Sequence, residues 1–158
     1  MRYIIKQKLL SLSDGFTIKD ESGNDSFKVK GKVFSIGAKL TMSDMQDKEV
    51  CYIEQKVFKL MPEYHISVDS REAMTVKQKF TVLGKKFDIT GVSGEYKVEG
   101  NIIAKDFRIL KDEAVCASIS KKLVAMTDTY TVEISDGENP VLMLAVAVIM
   151  DMACHDQK

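Results

Sequence analysis

Apolar and polar residues alternate with period two through most of the first 135 positions of the chain. Phe27, Val29, Gly31 and Val33 alternate with Lys28, Lys30 and Lys32, and Tyr96, Val98, Gly100 and Ile102 alternate with Lys97 and Glu99. Met74, Val76, Gln78, Phe80 and Val82 alternate with Thr75, Lys77, Lys79 and Thr81, and Tyr130, Val132 and Ile134 with Thr129, Thr131 and Glu133. Successive side chains of a strand point to opposite faces, so each run has one face for a core and one for water. That is the pattern of antiparallel sheet wetted on one side. Turn-forming residues interrupt the runs at short intervals: Ser13-Asp14-Gly15, Glu21-Ser22-Gly23-Asn24, Leu83-Gly84-Lys85, Ser93-Gly94 and Lys111-Asp112-Glu113. About twelve such runs precede Asp136, which predicts a mainly β sandwich or barrel.

The last segment obeys a different rule. Pro140 to Met150 carries no polar side chain. Asn139 suits an N-cap and Pro140 the first helical position, so a helix is expected over about 139–154, roughly 22 Å long. Its apolar run is too short for a transmembrane span, which takes ~20 residues, and it lacks the charged face of an interfacial helix. A helix apolar all round is buried all round. Eight strands enclose only their own side chains, whereas around twelve leave room for a filling. The pattern therefore predicts a closed antiparallel barrel of ~12 strands around a central hydrophobic C-terminal helix, with residues 1–158 forming one domain.

Composition narrows the function classes. The 158 residues carry 23 Lys and Arg against 23 Asp and Glu, so no net charge draws the chain as a whole toward nucleic acid or membrane. Met1 to Lys86 is net positive and Phe87 to Lys158 net negative, an asymmetry that makes a polar molecule only if the fold keeps the two parts apart. The start of the chain lacks the apolar core and cleavage site of a signal peptide. Cys51, Cys116 and Cys154 are odd in number, widely spaced and set in apolar stretches, as reduced cysteines of a cytoplasmic protein are.

Particular segments also resemble a known family. Gln55-Lys56-Val57-Phe58 with Pro62-Glu63-Tyr64-His65-Ile66, then Ile119-Ser120-Lys121-Lys122, Asp128 to Ile134, and the apolar run to Asp151 are similar in order and spacing to the LURP-one-related family. The likeness extends from Tyr3 to Asp151. It implies a Tubby-like fold, a twelve-stranded barrel around a C-terminal helix, and a distant kinship with the phospholipid scramblases. Fold relatives of that kind work at membranes, and Tubby-type domains hold phosphoinositide head groups with basic residues on the barrel wall. Fold alone does not carry function across, and no residue here aligns with that lipid site one by one.

The candidate ligand-binding residues are lysines. Lys28, Lys30 and Lys32 share one strand face, Lys77 and Lys79 another, followed by Lys85 and Lys86, and Lys121 and Lys122 follow the Ile-Ser segment. Converging ammonium groups would hold a phosphorylated head group; dispersed ones are a solvated face that protects sheet edges. His65 and His155 have no nucleophile pattern beside them. Zinc spacing, calcium loop, phosphate loop and dinucleotide fingerprint are all missing, so neither metal nor cofactor is implied, and no enzyme. The reading is a monomeric, non-enzymatic binding domain for an anionic ligand such as a phospholipid surface. The alternative is an interaction or regulatory module for an unknown protein.

Overall fold

The computed structural model describes residues 1–6, 15–34, 37–57, 59–82, 84–121 and 129–155, with residues 32–34 and 155 described by their backbone. Twelve strands form one closed antiparallel barrel: β1 (Arg2–Lys6), β2 (Phe16–Asp20), β3 (Asp25–Phe34), β4 (Gly37–Asp44), β5 (Glu49–Lys56) and β6 (Glu63–Val68). The second half comprises β7 (Arg71–Lys79), β8 (Lys86–Gly91), β9 (Gly94–Asn101), β10 (Asp106–Lys111), β11 (Ala114–Ser120) and β12 (Thr129–Ile134). Each strand pairs with its neighbours in sequence, and β12 closes the barrel on β1, with Tyr3 opposite Val132 and Ile5 opposite Tyr130. The helix α1 (Pro140–His155) follows, as long as the expected 139–154 range and shifted by one residue toward the C-terminus.

The period-two pattern explains the wall. Ile18, Val29, Leu40, Ile53, Ile66, Val76, Ile89, Ile109, Ile119 and Val132, one from each of ten strands, point inward and are fully buried. The filling is α1. Asn139 caps it, its side-chain oxygen accepting from the backbone N–H of Val141 (3.0 Å) and Leu142 (3.3 Å), and Pro140 occupies the first helical position. From Met143 through Ala153 every side chain is buried. Burial of each large one is worth about 1.5–3 kcal/mol, which makes the helix a main stabilising element of the barrel. One expected run is shorter than its alternation suggested: β7 ends at Lys79, so Phe80 and Val82 lie beyond the strand.

The topology sorts the connections onto two rims. On one, tight turns join β2–β3, β4–β5, β6–β7, β8–β9 and β10–β11, and the β12–α1 connection lies with them. The opposite rim has the longer connections 57–62, 80–85 and 102–105, together with the C-terminus of α1, where Lys85 donates to the carbonyl of Ala153. The connections 57–62 and 80–85 are adjacent there, since Gln78 N–H donates to the Pro62 carbonyl at 2.9 Å.

The wall has one irregular seam. β8 and β9 pair only at Ile89–Tyr96, Thr90–Glu95 and Gly91–Gly94, although β8 starts at Lys86 and β9 runs to Asn101. Beyond Ile89 the two strands diverge toward the long-loop rim. Over that stretch β9 stays in register with β10 from Lys97–Leu110 to Asn101–Asp106. Gly100 sits there at φ +114°, where a Cβ would stand 2.6 Å from the Asp106 carbonyl oxygen, so only glycine lets β9 lie this close to β10.

Candidate functional site

The candidate lysines do not gather at one place. Lys28 and Lys30 project from β3 and Lys77 and Lys79 from β7, with β4, β5 and β6 between them. Four inter-strand steps put these strands roughly 19 Å apart along the wall. The intervening outer face carries acids: Glu54 lies opposite Lys39 and His65, and Glu63 opposite Lys56 and Lys77. Several lysines already have carboxylate neighbours, Lys28 with Asp47 at 3.0 Å, Lys79 with Asp88 at 2.8 Å and Lys77 with Glu63 at 3.9 Å. Lys30 is exposed on the wall and Lys121 lies at the end of β11 on the long-loop rim. The Lys32 side chain and Lys122 lie outside the described residues.

Charge separates along the barrel axis instead. In the tight-turn connections the charged residues are Glu21, Asp47, Lys48, Asp69, Asp112, Glu113, Asp136 and Glu138, all acidic but one. Among the described residues of the long-loop connections they are Lys59, Lys85, Lys121 and Lys105, all basic, the last of them buried. The same rim carries bare apolar side chains: Leu60 is 100% exposed, Val82 91% and Phe80 84%, with Val57 and Ile103 also exposed. These exposed apolar side chains share the rim with the lysines of the same connections. Val92 and Met1 are exposed on the opposite rim.

Beside this rim the divergence of β8 and β9 opens a cleft of about 810 Å³. Lys79, Lys85, Lys86 and Lys97 line its mouth, with Asp88 as the acidic residue among them. Phe87, Tyr96, Val98 and Ile102 reach it from the interior side, and Ile103 from the rim. The cleft is thus basic outside and apolar within. Two of its lysines are engaged with exposed carboxylates, Lys79 with Asp88 and Lys97 with Glu113 at 2.6 Å. Exposed pairs of this kind contribute little and exchange partners readily.

A charged group also lies inside the barrel. Asp151, on the last turn of α1, is buried and meets the buried ammonium of Lys105 at 2.9 Å. The Tyr130 hydroxyl donates to the same carboxylate at 3.4 Å, and the Lys105 ammonium lies 5.6 Å from the Tyr130 ring centre. Burial, and then the Asp151 charge, push the Tyr130 hydroxyl well above the ordinary tyrosine pKa. Sequence reasoning missed this cluster, because a lysine in a short turn is ordinarily solvated.

The remaining reactive side chains are accounted for by packing. Cys51 and Cys116 are buried, Cys154 half-buried, and all three are free thiols. Burial, with Glu49 nearby, pushes the Cys51 thiol up to about 12, and burial with Glu138 pushes Cys116 up to about 11. His65 faces outward beside buried Tyr64 and sits between Glu63 (2.6 Å) and Glu72 (2.8 Å). Its hydrogen bond holds the Glu63 carboxyl below the usual glutamate range. Among the described residues no three His, Cys, Asp or Glu side chains converge as metal ligands, and no helix is long and apolar enough to cross a membrane.

Known proteins share this architecture and sequence. The chain is 34% identical to the protein YxjI of Bacillus subtilis (strain 168) over 98% of its own length and 94% of that protein. It is 23% identical to Protein LURP-one-related 15 of Arabidopsis thaliana, over 93% of its length and 77% of the plant protein. An X-ray structure of an Arabidopsis thaliana protein superimposes with a TM-score of 0.69 at 19% identity, covering 96% of this chain and 90% of that one. The LURP-one-related family model matches residues 1–151, all twelve strands and the helix as far as Asp151. By that match and by its relatives, the chain belongs to the LURP-one-related family.

Proposed function

We propose that the chain is a binding domain without catalytic chemistry, and that it docks its long-loop rim on an anionic membrane surface. The observation that carries this reading is the composition of that rim: Leu60, Phe80 and Val82 stand bare in solvent in the same connections as Lys59 and Lys85, and Lys121 lies farther round the same rim. Apolar tips that enter the head-group layer, ringed by cations, suit a bilayer interface. Each lysine near an anionic leaflet adds about 1 kcal/mol. The acidic rim then faces away from the membrane, which orients the barrel axis toward the bilayer. The lysines on β3 serve solvation in this reading.

Co-sedimentation with phosphatidylcholine vesicles, with and without phosphatidylserine, tests it at low and physiological salt. Binding to anionic vesicles that weakens with salt is expected, and it should fall at least about tenfold in Leu60→Ser/Phe80→Ser and in Lys59→Gln/Lys121→Gln. Lys28→Gln/Lys30→Gln should bind as the parent does. Loss of binding in that last variant alone would move the site to the β3 wall. No binding to any vesicle would reject the membrane and leave the exposed rim to a protein partner.

A further inference from the structure

We infer that the cleft between the diverging ends of β8 and β9 is a binding site for a phosphate-bearing amphiphile, with the phosphate among the lysines at its mouth and a hydrocarbon stem on its apolar floor. The inference rests on the rim reading for the ligand's route of approach, since the cleft opens beside the 80–85 and 102–105 connections that would meet the bilayer.

Three observations carry it. The first is that the opening is built into the wall. The β8–β9 ladder stops at Ile89 and Tyr96, while Lys86–Asp88 remains paired to β7 and Lys97–Asn101 to β10. Both edges are held by their other neighbours, so the gap persists without a ligand. Gly100, which no other residue replaces without striking the Asp106 carbonyl, keeps the β9 side drawn onto β10.

The second is charge. Lys79, Lys86 and Lys97 approach the mouth from β7, β8 and β9, against one lining carboxylate, Asp88, while Lys85 lines the cleft with its ammonium donating to the Ala153 carbonyl. A phosphate monoester carries close to two negative charges and three acceptor oxygens, enough to engage several ammonium groups at once. Lys86 has no ion-pair partner among the described residues, and the exposed partners of Lys79 and Lys97 are readily displaced.

The third is the floor. Phe87, Tyr96 and Ile102 are buried core residues, yet they line the same cavity as the lysines. A free inorganic anion would leave that apolar surface unused. A molecule with a phosphate at one end and a short hydrocarbon at the other covers both.

Octyl phosphate, kept below its micelle concentration, is the probe. Isothermal titration of the intact chain should give one-site binding, with inorganic phosphate at least about tenfold weaker and octyl glucoside silent. Lys86→Gln and Lys97→Gln should each weaken octyl phosphate about tenfold. Their melting temperatures should stay at the parent value, because both side chains are exposed. Amide shifts on titration should centre on residues 84–88 and 96–103.

Equal binding of inorganic phosphate would overturn the amphiphile and leave a plain phosphate site. No binding, or shifts centred elsewhere, would overturn the site. The two readings fail separately. Leu60→Ser/Phe80→Ser should lose vesicles but keep octyl phosphate, whereas vesicle binding without octyl phosphate binding would remove the cleft and spare the rim.

Discussion

Lys105 and Asp151 illustrate how much one side chain can decide. The pair is buried at both ends, so each charge depends on the other for its solvation. Asp151→Ala strands the ammonium in the core and should cost about 3–5 kcal/mol in urea denaturation. Lys105→Met with Asp151→Leu should recover most of that loss, because an apolar pair needs no partner. A single variant as stable as the parent would mean that water reaches the site. The cysteines are ranked by the same burial. With its pKa pushed to about 12, Cys51 presents roughly one thiolate in ten thousand at pH 8. Ellman's reagent should therefore label half-buried Cys154 first and Cys51 only on unfolding. Rapid labelling of Cys51 in the folded chain would show the barrel opening near β5.

Among elements, the strands and the helix are where sequence reading succeeds and where its reach ends. Alternation fixes which face of a strand is buried, and a run without polar groups has nowhere to lie but inside, so the barrel and its filling follow from local pattern. Phe80 and Val82 continue the alternation of β7 by coincidence, and nothing local marks Lys79 as the last paired residue. The β8–β9 cleft is less legible still, because it depends on where a ladder stops and not on what either strand contains. The helix gives the sharpest test. Val146→Asp places an unpaired charge at a fully buried position and should leave no cooperative thermal transition. An unchanged melting temperature would remove α1 from the core.

At the scale of the whole molecule, zero net charge conceals a basic rim and an acidic one. The positive and negative parts of the sequence form two arcs of the wall, essentially β1–β7 and β8–β12, because each strand pairs with its sequence neighbours, and this leaves the two rims to be separated by another cause. What separates the charge is that successive connections fall on alternate ends. Acids gather in the tight turns and lysines in the connections between them, a signal that could be read by taking every second loop together. The central position of α1 has another consequence, for the order of assembly. The core's filling is made after all twelve strands, and β1 finds its partner β12 more than a hundred residues later. A ribosome takes on the order of 10 s to synthesise such a length. Through most of that time the emerging strands hold an apolar face with nothing to cover it, and closure relies on contacts distant in sequence, which form slowly. The nascent chain is thus most vulnerable until β12 and α1 have emerged, and chaperones that shield sheet edges have that interval in which to act on it.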